Sequence, residues 1–327
     1  MAITHCWRQL ARIALTSICL VAATDALAQA YPSRPIRLIV PFPAGGGTDI
    51  VARIVANEMS REFGQSVIVE NKAGANGIVG ADFVAKAPPD GYTVVMSTMG
   101  NFAINPAIYP NMPFSVEKNL SPVTNVVSVP LMLIIHPSIP AKTVQEFIAY
   151  TKAQPAPVPY SSSGTGGGPH LAGELFIAAS GANMMHIPFK GSGPAYAALL
   201  GAQVAADFDS VVQGLPYVRS GQLRALAVLN NPRSPLMPDV PSMSEALPGY
   251  DVTNWYAMMA PAGTPLAIRQ KLQQTVRKVI STPEMKARLI AEGVEPVGDT
   301  PEEFGEFLKT QTKLWADVVR KANVKVE

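Results

Sequence analysis

The sequence predicts an α/β protein of two lobes with a cleft between them. Three observations carry this. Apolar runs of strand length alternate with helical patterns along most of the chain. Beyond a leader of 28 residues, 299 of the 327 remain, enough for two units at roughly 150 residues each. Each half also contains a glycine-rich turn between an apolar run and a helical pattern, at 43–49 and at 161–170.

The leader has the order of a secretory signal. Arg8 and Arg12 form a short basic region, Ile13 to Ala23 is apolar, and Ala26-Leu27-Ala28 offers the small–x–small pattern of a cleavage site. The apolar stretch is shorter than the ~18 residues of a membrane span, so cleavage near Ala28 and release into the periplasm are expected, without direct membrane insertion. Ile18 before Cys19 argues against a lipid anchor, and no twin arginine is present. Cys6 and Cys19 both leave with the leader. The mature chain then has no disulfide, no thiol nucleophile and no thiolate metal site.

The first elements follow in order. Ile36–Pro41 (IRLIVP) reads as a buried strand. Ile50, Val51, Ile54, Val55 and Met59 have helical spacing within 48–63, and Gly64 ends that helix. Ser66–Glu70 is the next strand, 77–87 a helix stopped by Pro88-Pro89, and Thr93–Ser97 a strand after the Asp90-Gly91 turn. The repeated strand–helix–strand order predicts a parallel sheet covered by helices. The pattern restarts at Pro130, with strands at 131–136, around Tyr160, and at 184–189, 203–208 and 223–229, and helices at 143–153, 169–180 and 193–201. Val252–Ala260 reads as a strand, followed by helices at about 265–281, 283–292 and 301–321. Pro265, Pro283 and Pro301 sit at first-turn positions, with Thr264, Thr282 and Thr300 before them as N-caps. If the last helices return to the first lobe, the lobes comprise 29–130 with 253–327, and 131–252. The chain then crosses twice, near 130 and near 252.

Charge excludes some partners. The leader removes Arg8, Arg12 and Asp25 from 26 basic and 24 acidic residues, leaving a net charge of +1. Such a balance carries no nucleic-acid footprint and gives no reason to bind an anionic membrane. The mature histidines, His136, His170 and His186, are far apart, with no HxxxH pair, and no G-x-S-x-G elbow occurs. Neither a metal nor a nucleotide or redox cofactor is expected, and the chain does not read as an enzyme.

The candidate site is built from turns. Pro43-Ala44-Gly45-Gly46-Gly47-Thr48-Asp49 follows a strand and opens a helix, where backbone N–H groups carry partial positive charge and suit an anion. It could equally be an ordinary tight turn capped by Thr48 or Asp49. No lysine follows, so this is not a nucleotide phosphate loop. Ser161–His170 repeats the arrangement, with Ser162, Gly164, Thr165, Gly168 and His170 as candidates and Pro169 in the first turn. Lys190, Gly191 and Ser192 precede a third helix, and Lys190 is either a carboxylate's counter-charge or a solvated lysine. Asp209 either faces the cleft or holds a loop. Ser97, Thr98 and Asn101 stand beyond another strand as hydrogen-bonding groups. A Ser162–His170 dyad would be the one route to hydrolysis.

Together, YPSRPIRLIVPFPAGGGTDIVAR (31–53), VENKAGANGIVGADFVAKAPPDGYT (69–93), INPAIYP (104–110), HIPFKGSGPAYAALLGAQV (186–204), LRALAV (223–228) and WYAMMAPAGTP (255–265) form a specific set. By these motifs the chain resembles the tripartite tricarboxylate transporter receptors, the Bug-type extracytoplasmic solute-binding proteins. The resemblance covers essentially the whole mature chain. It implies the periplasmic-binding-protein (Venus-flytrap) fold, two lobes joined by two crossover strands. It also implies a receptor that presents a small organic carboxylate to integral-membrane permease subunits; a monomer is expected. One carboxylate would sit against Pro43–Asp49, and the turns at 161–170 and 190–192, with Asp209, would complete the pocket. Ala205-Ala206 departs from the methionine-richer segment of many members. Two other classes stay open: a ligand-sensing partner of a membrane regulatory kinase, and a hydrolase using the Ser162 region.

Overall fold

A computed structural model describes residues 31–230, 233–234 and 237–322. The expected leader and cleavage site near Ala28 lie outside the described residues. Strands β1 (Ile36–Val40), β2 (Val67–Asn71), β3 (Thr93–Thr98), β4 (Leu120–Pro130), β10 (Thr253–Pro261) and β11 (Glu295–Pro296) form a six-stranded sheet in the order β11-β4-β10-β3-β1-β2. A second sheet of five strands has the order β7-β6-β8-β5-β9. It contains β5 (Met132–Ile135), β6 (Val158–Ser162), β7 (Met184–Pro188), β8 (Ala206–Asp207) and β9 (Arg224–Val228).

Alternation along β1 explains the first lobe's layers. Ile36, Leu38 and Val40 pack with Val51, Val55 and Met59 of helix α1 (Gly47–Phe63) and with Leu272 and Val276 of helix α10 (Leu266–Ile280). Ile39 turns the other way, toward Ile78, Ala81 and Val84 of helix α2 (Ile78–Ala85). In the second lobe, Met132 and Ile134 of β5 join Tyr196, Leu199, Val211 and Leu215. Leu133 and Ile135 belong instead with Phe147, Phe176 and Phe208. Burying each such aromatic or branched side chain contributes about 1.5–3 kcal/mol.

The helices α3 (Asn105–Ile108) and α4 (Val116–Asn119) are short, and α5 (Val144–Ala153), α6 (Gly168–Ser180), α7 (Ser192–Leu200), α8 (Val211–Arg219) and α9 (Met243–Ala246) cover the middle of the chain. Helices α11 (Pro283–Ala291) and α12 (Pro301–Ala322) complete it, α12 packing on β4 and touching α6. Among the described residues, no helix is long and apolar enough to cross a membrane.

Three expectations need correction. The first sheet is mixed, not parallel: β1 pairs in parallel with β2 and β3, whereas β10 is antiparallel to both β3 and β4. The cause is connectivity. The chain leaves the first sheet along β4 and enters the second at β5; it returns along β10, so β4 and β10 run in opposite directions. Helix α8 was hidden in the pattern by Gly214 and by Pro216 inside it. Lastly, Thr264 does not cap α10: its hydroxyl donates to the Pro261 carbonyl (2.7 Å), and the N-cap position is Pro265. Thr282 does accept from the Met285 N–H (3.3 Å), and Thr300 and Glu303 bond each other's backbone N–H reciprocally (3.2 and 2.9 Å).

Candidate functional site

A cavity of about 170 Å³ lies where the two sheets' helix starts meet. Gly46–Thr48 of α1, Gly167–Pro169 of α6, Gly191–Pro194 of α7 and Ser210 before α8 all line it. None of these four helices has a side-chain cap at its N-terminus. Their first-turn N–H groups lack intrahelical acceptors, and their dipoles place partial positive charge at one small space.

The α1 turn is held from behind by Asp49, whose side chain is 3% exposed. Its Oδ2 accepts from the Gly45 N–H and from Arg53 Nε, each at 2.9 Å, and its Oδ1 accepts from Asn71 Nδ2, also at 2.9 Å. Burial pushes the Asp49 carboxyl up, but the hydrogen bonds from Arg53, Gly45 and Asn71 together hold it below the usual carboxylate range. Gly45 has φ +81°, a conformation a side chain would strain.

The α6 turn is held differently. His170 Nδ1 accepts from the Gly166 N–H at 2.9 Å, and its ring stacks on His186 at 3.8 Å. His186 Nε2 lies 2.6 Å from the Ser162 hydroxyl, which also contacts the Gly164 N–H and C=O. Tyr160 donates to Glu174 (2.8 Å) beneath them. Burial, reinforced by His170, pushes His186 down to about 3, against the opposing pull of Glu174. The His186 imidazole is therefore neutral near pH 7. Ser162 is fully buried and its partner is His186, so the imagined Ser162–His170 dyad is absent and the hydroxyl cannot reach a substrate.

Of the residues singled out in the sequence, Pro43, Ala44, Gly45, Gly46, Thr48, Thr98, Gly168, Lys190, Gly191, Ser192 and Asp209 line this cavity. Asp49, Ser162, Gly164, Thr165 and His170 are outside its lining and shape the turns instead. Ser97 and Asn101 are buried behind the wall, Asn101 donating to the Asn76 carbonyl (3.3 Å). The reading of the sequence missed Asn76, Ser163, Ser210, Asn254 and Tyr256, which also line it. Asn254 and Tyr256 alternate along β10 and so face one side, polar groups within an apolar strand. The Tyr256 hydroxyl, raised by burial and by nearby Asp209, is bonded by Thr48 and Ser210.

The lobes touch across the cleft. Gln213 Nε2 of α8 donates to the Gly45 carbonyl (3.0 Å), and Tyr109 donates to the Thr165 carbonyl (3.3 Å). A larger groove, about 940 Å³, runs between 102–122 and α12 on the first lobe. Its wall is mainly proline and apolar side chains, and neither glycine-rich turn reaches it. Size alone does not make it the functional site.

Two α/β lobes closing on a small polar cavity define a solute-binding protein. The chain belongs to the tripartite tricarboxylate transporter family receptors (TctC), whose pattern matches residues 51–324. Protein BugT of Bordetella pertussis is 39% identical over 307 residues, covering 93% of this chain and 94% of BugT. The structure of R. palustris Rpa4515 with adipate superposes with a TM-score of 0.88 at 32% identity, over 90% of this chain and 99% of that one. MatC from Rhodopseudomonas palustris with bound malate gives 0.82 at 31% identity, over 88% and 100%.

Proposed function

We propose that this protein is a periplasmic receptor that captures a small organic carboxylate in the cleft and delivers it to the permease subunits of a tripartite tricarboxylate-type transporter. One observation carries the reading: four uncapped helix N-termini open on one cavity of about 170 Å³. Each N-terminus favours an anion by about 0.3–1 kcal/mol, more when partly buried. A buried carboxylate needs hydrogen bonds, and these amides supply them where, among the described residues, Lys190 is the one cation in the lining. The volume is below the ~300–1,000 Å³ of drug-sized sites, so the fitting ligand is compact. The related structures with adipate and malate support an acid of that size. Lobe limits of 29–130 with 253–327 and 131–252, a mature start near Gln29, and a monomer working without a cofactor complete the proposal.

The Gly46→Val variant tests it. A Cβ at Gly46 would meet nothing nearer than the Pro43 carbonyl at 3.5 Å, and its φ of −75° is ordinary, so the protein folds. The side chain takes cavity space beside the amides, and carboxylate affinity should fall at least ~100-fold, the loss of about two charge-assisted hydrogen bonds. Lys190→Met should weaken binding only several-fold, because Lys190 is exposed. Calorimetric titration with succinate, malate and adipate reads both. Unchanged affinity in folded Gly46→Val protein would move the anchor to the second lobe.

A further inference from the structure

The turn before α6 depends on one lone pair. Gly166 has φ +79°, and its N–H points at His170 Nδ1, 2.9 Å away. A neutral imidazole has one donor nitrogen and one acceptor, whereas the imidazolium has two donors. This bond therefore exists only while Nδ1 is unprotonated. The other nitrogen agrees with that tautomer: Nε2 lies 3.6 Å from Glu174 Oε1, an acceptor. His170 is 5% exposed and its ring stacks on His186, 3.8 Å between centroids, so the ring is held in this orientation.

The ionisable groups around His170 are Glu174 of its own helix, His186 of β7 and Tyr160 of β6, with Asp207 of β8 and Tyr250 beyond Tyr160. Burial pushes the Glu174 carboxyl up, but hydrogen bonds from His170 and Tyr160 hold it below the usual carboxylate range. His186, pushed down to about 3 by burial and by His170, takes no proton near neutrality. A proton on His170 Nδ1 would set two donors against each other at 2.9 Å inside a buried turn. Gly166 would have to move, and the next three residues, Gly167, Gly168 and Pro169, line the cavity. Two effects of that proton oppose each other. Its charge would favour an anion in the cleft, yet it would stand 3.6 Å from the Glu174 carboxylate and outside the cavity lining, so the two fields largely cancel at the ligand. Displacing the turn alters the ligand's contacts directly, and that effect wins.

We infer that His170 is a positioning residue for the ligand, holding the α6 turn through an unprotonated Nδ1, so that a ligand in the cleft and a proton on that nitrogen exclude each other. This rests on the reading of the cleft as an anion site. By linkage, binding expels a proton from His170, and affinity falls in acid. The sign is diagnostic. An anion acting by charge alone stabilises a protonated imidazole and takes protons up. An anion that needs the intact turn releases them.

The test uses His170→Asn, whose Oδ1 stands in for Nδ1 as an acceptor that does not titrate, and His170→Leu, which has no acceptor. Succinate, malate and adipate are titrated calorimetrically at pH 8, 6.5 and 5, in pairs of buffers with different ionisation enthalpies, after circular dichroism confirms folding. Protons carried by the ligand itself are common to the three proteins and cancel in the comparison. From pH 8 to pH 5, wild type should lose at least fivefold more affinity than His170→Asn. His170→Leu should bind at least fivefold more weakly than wild type at pH 8, about the worth of one hydrogen bond, and follow the pH course of the Asn variant. At pH 6.5 wild type should release more protons on binding than either variant. The same pH course in wild type and His170→Asn overturns the inference, and so does net proton uptake by wild type relative to the variants. Wild-type affinity in His170→Leu at pH 8 overturns it as well, because the bond would then hold nothing the ligand needs. If neither variant folds, the sign of the wild-type proton count, less the ligand's own, still decides. If wild type binds none of the three acids at any pH, the anion-site reading itself fails.

Discussion

The two glycine-rich turns aim helix starts at the same cavity, yet they are supported by opposite chemistry. The α1 turn rests on a buried carboxylate that collects three donors, Gly45 N–H, Arg53 and Asn71. The α6 turn rests on two stacked imidazoles wedged among Tyr160, Ser162 and Glu174. The first support is mostly local in sequence, centred on one i,i+4 ion pair, with Asn71 at the end of β2 as its distant donor. The second draws on β6, α6 and β7 and depends on close packing. Backbone amides that hold an anion must be fixed in place, and either support achieves this. They should fail under different insults.

The largest difference should come from adding one methyl group. At Gly173, on α6, a Cβ would overlap two ring atoms and the hydroxyl oxygen of Tyr160. That ring is fully buried, with His186 at 5.1 Å and Phe208 edge-on at 5.5 Å, so it cannot swing aside. Gly173→Ala should cost about 1–3 kcal/mol or more through overpacking and should disturb the imidazole stack. Gly46→Ala, in the other turn, should change stability by less than ~0.5 kcal/mol. Urea denaturation of the two variants makes the comparison; equal stabilities would show that the α6 turn does not depend on its packing.

The same contrast explains what the sequence could reveal. Turns whose determinants lie mostly within a few residues, such as 43–49 apart from its distant donor Asn71, or Thr282-Pro283 and Thr300-Pro301, are written locally and can be read directly. Thr264-Pro265 has the same letters but a different outcome, because the Pro261 carbonyl captures the threonine hydroxyl. The cavity wall is less legible, because it gathers Asn76, Ser163, Ser210, Asn254 and Tyr256 from separate strand ends and turns. Pairing of Ser162 with His186 rather than His170 likewise depends on the parallel register of β6 and β7, which sets Tyr160 beside His186. Periodicity does not contain that register.

Acid should separate the turns next. His186 titrates near 6.5 in an unfolded chain and is pushed down to about 3 in the fold. Between those values the unfolded chain binds more protons, so stability is fully present above pH ~6.5 and falls as pH drops toward 3. The slope is at most about 1.4 kcal/mol per pH unit for one proton. His186→Gln removes the titrating group and keeps a polar neighbour for Ser162, so its urea midpoint should vary less between pH 6.5 and 4.5. Identical pH slopes in variant and wild type would mean that His186 titrates alike in both states. Asp49 should contribute little slope in that range, since its unfolded value near 3.9 and its lower folded value both lie beneath it.

The smallest effect concerns Arg53. Its ion pair with Asp49 spans 2.9 Å, but the arginine side chain is 52% exposed, so water and salt screen the attraction. After Arg53→Gln, Asp49 still accepts from Gly45 and Asn71, and the turn should keep its shape. The expected loss is under ~1 kcal/mol, shrinking further between 50 mM and 1 M salt, with carboxylate affinity within about threefold of wild type. The pH signature has a definite sign. A carboxyl held low in the fold adds stability above its unfolded value near 3.9, and that stability is lost as pH falls through the folded value. Without Arg53 the folded value rises toward 3.9, so the variant should lose less stability on acidification than wild type, and that loss should be complete at a higher pH. Denaturation midpoints at two salt concentrations, repeated from pH 5 to pH 2.5, measure this. A loss above ~2 kcal/mol that salt does not reduce would show that the guanidinium, rather than the buried carboxylate and its two neutral donors, holds the first turn.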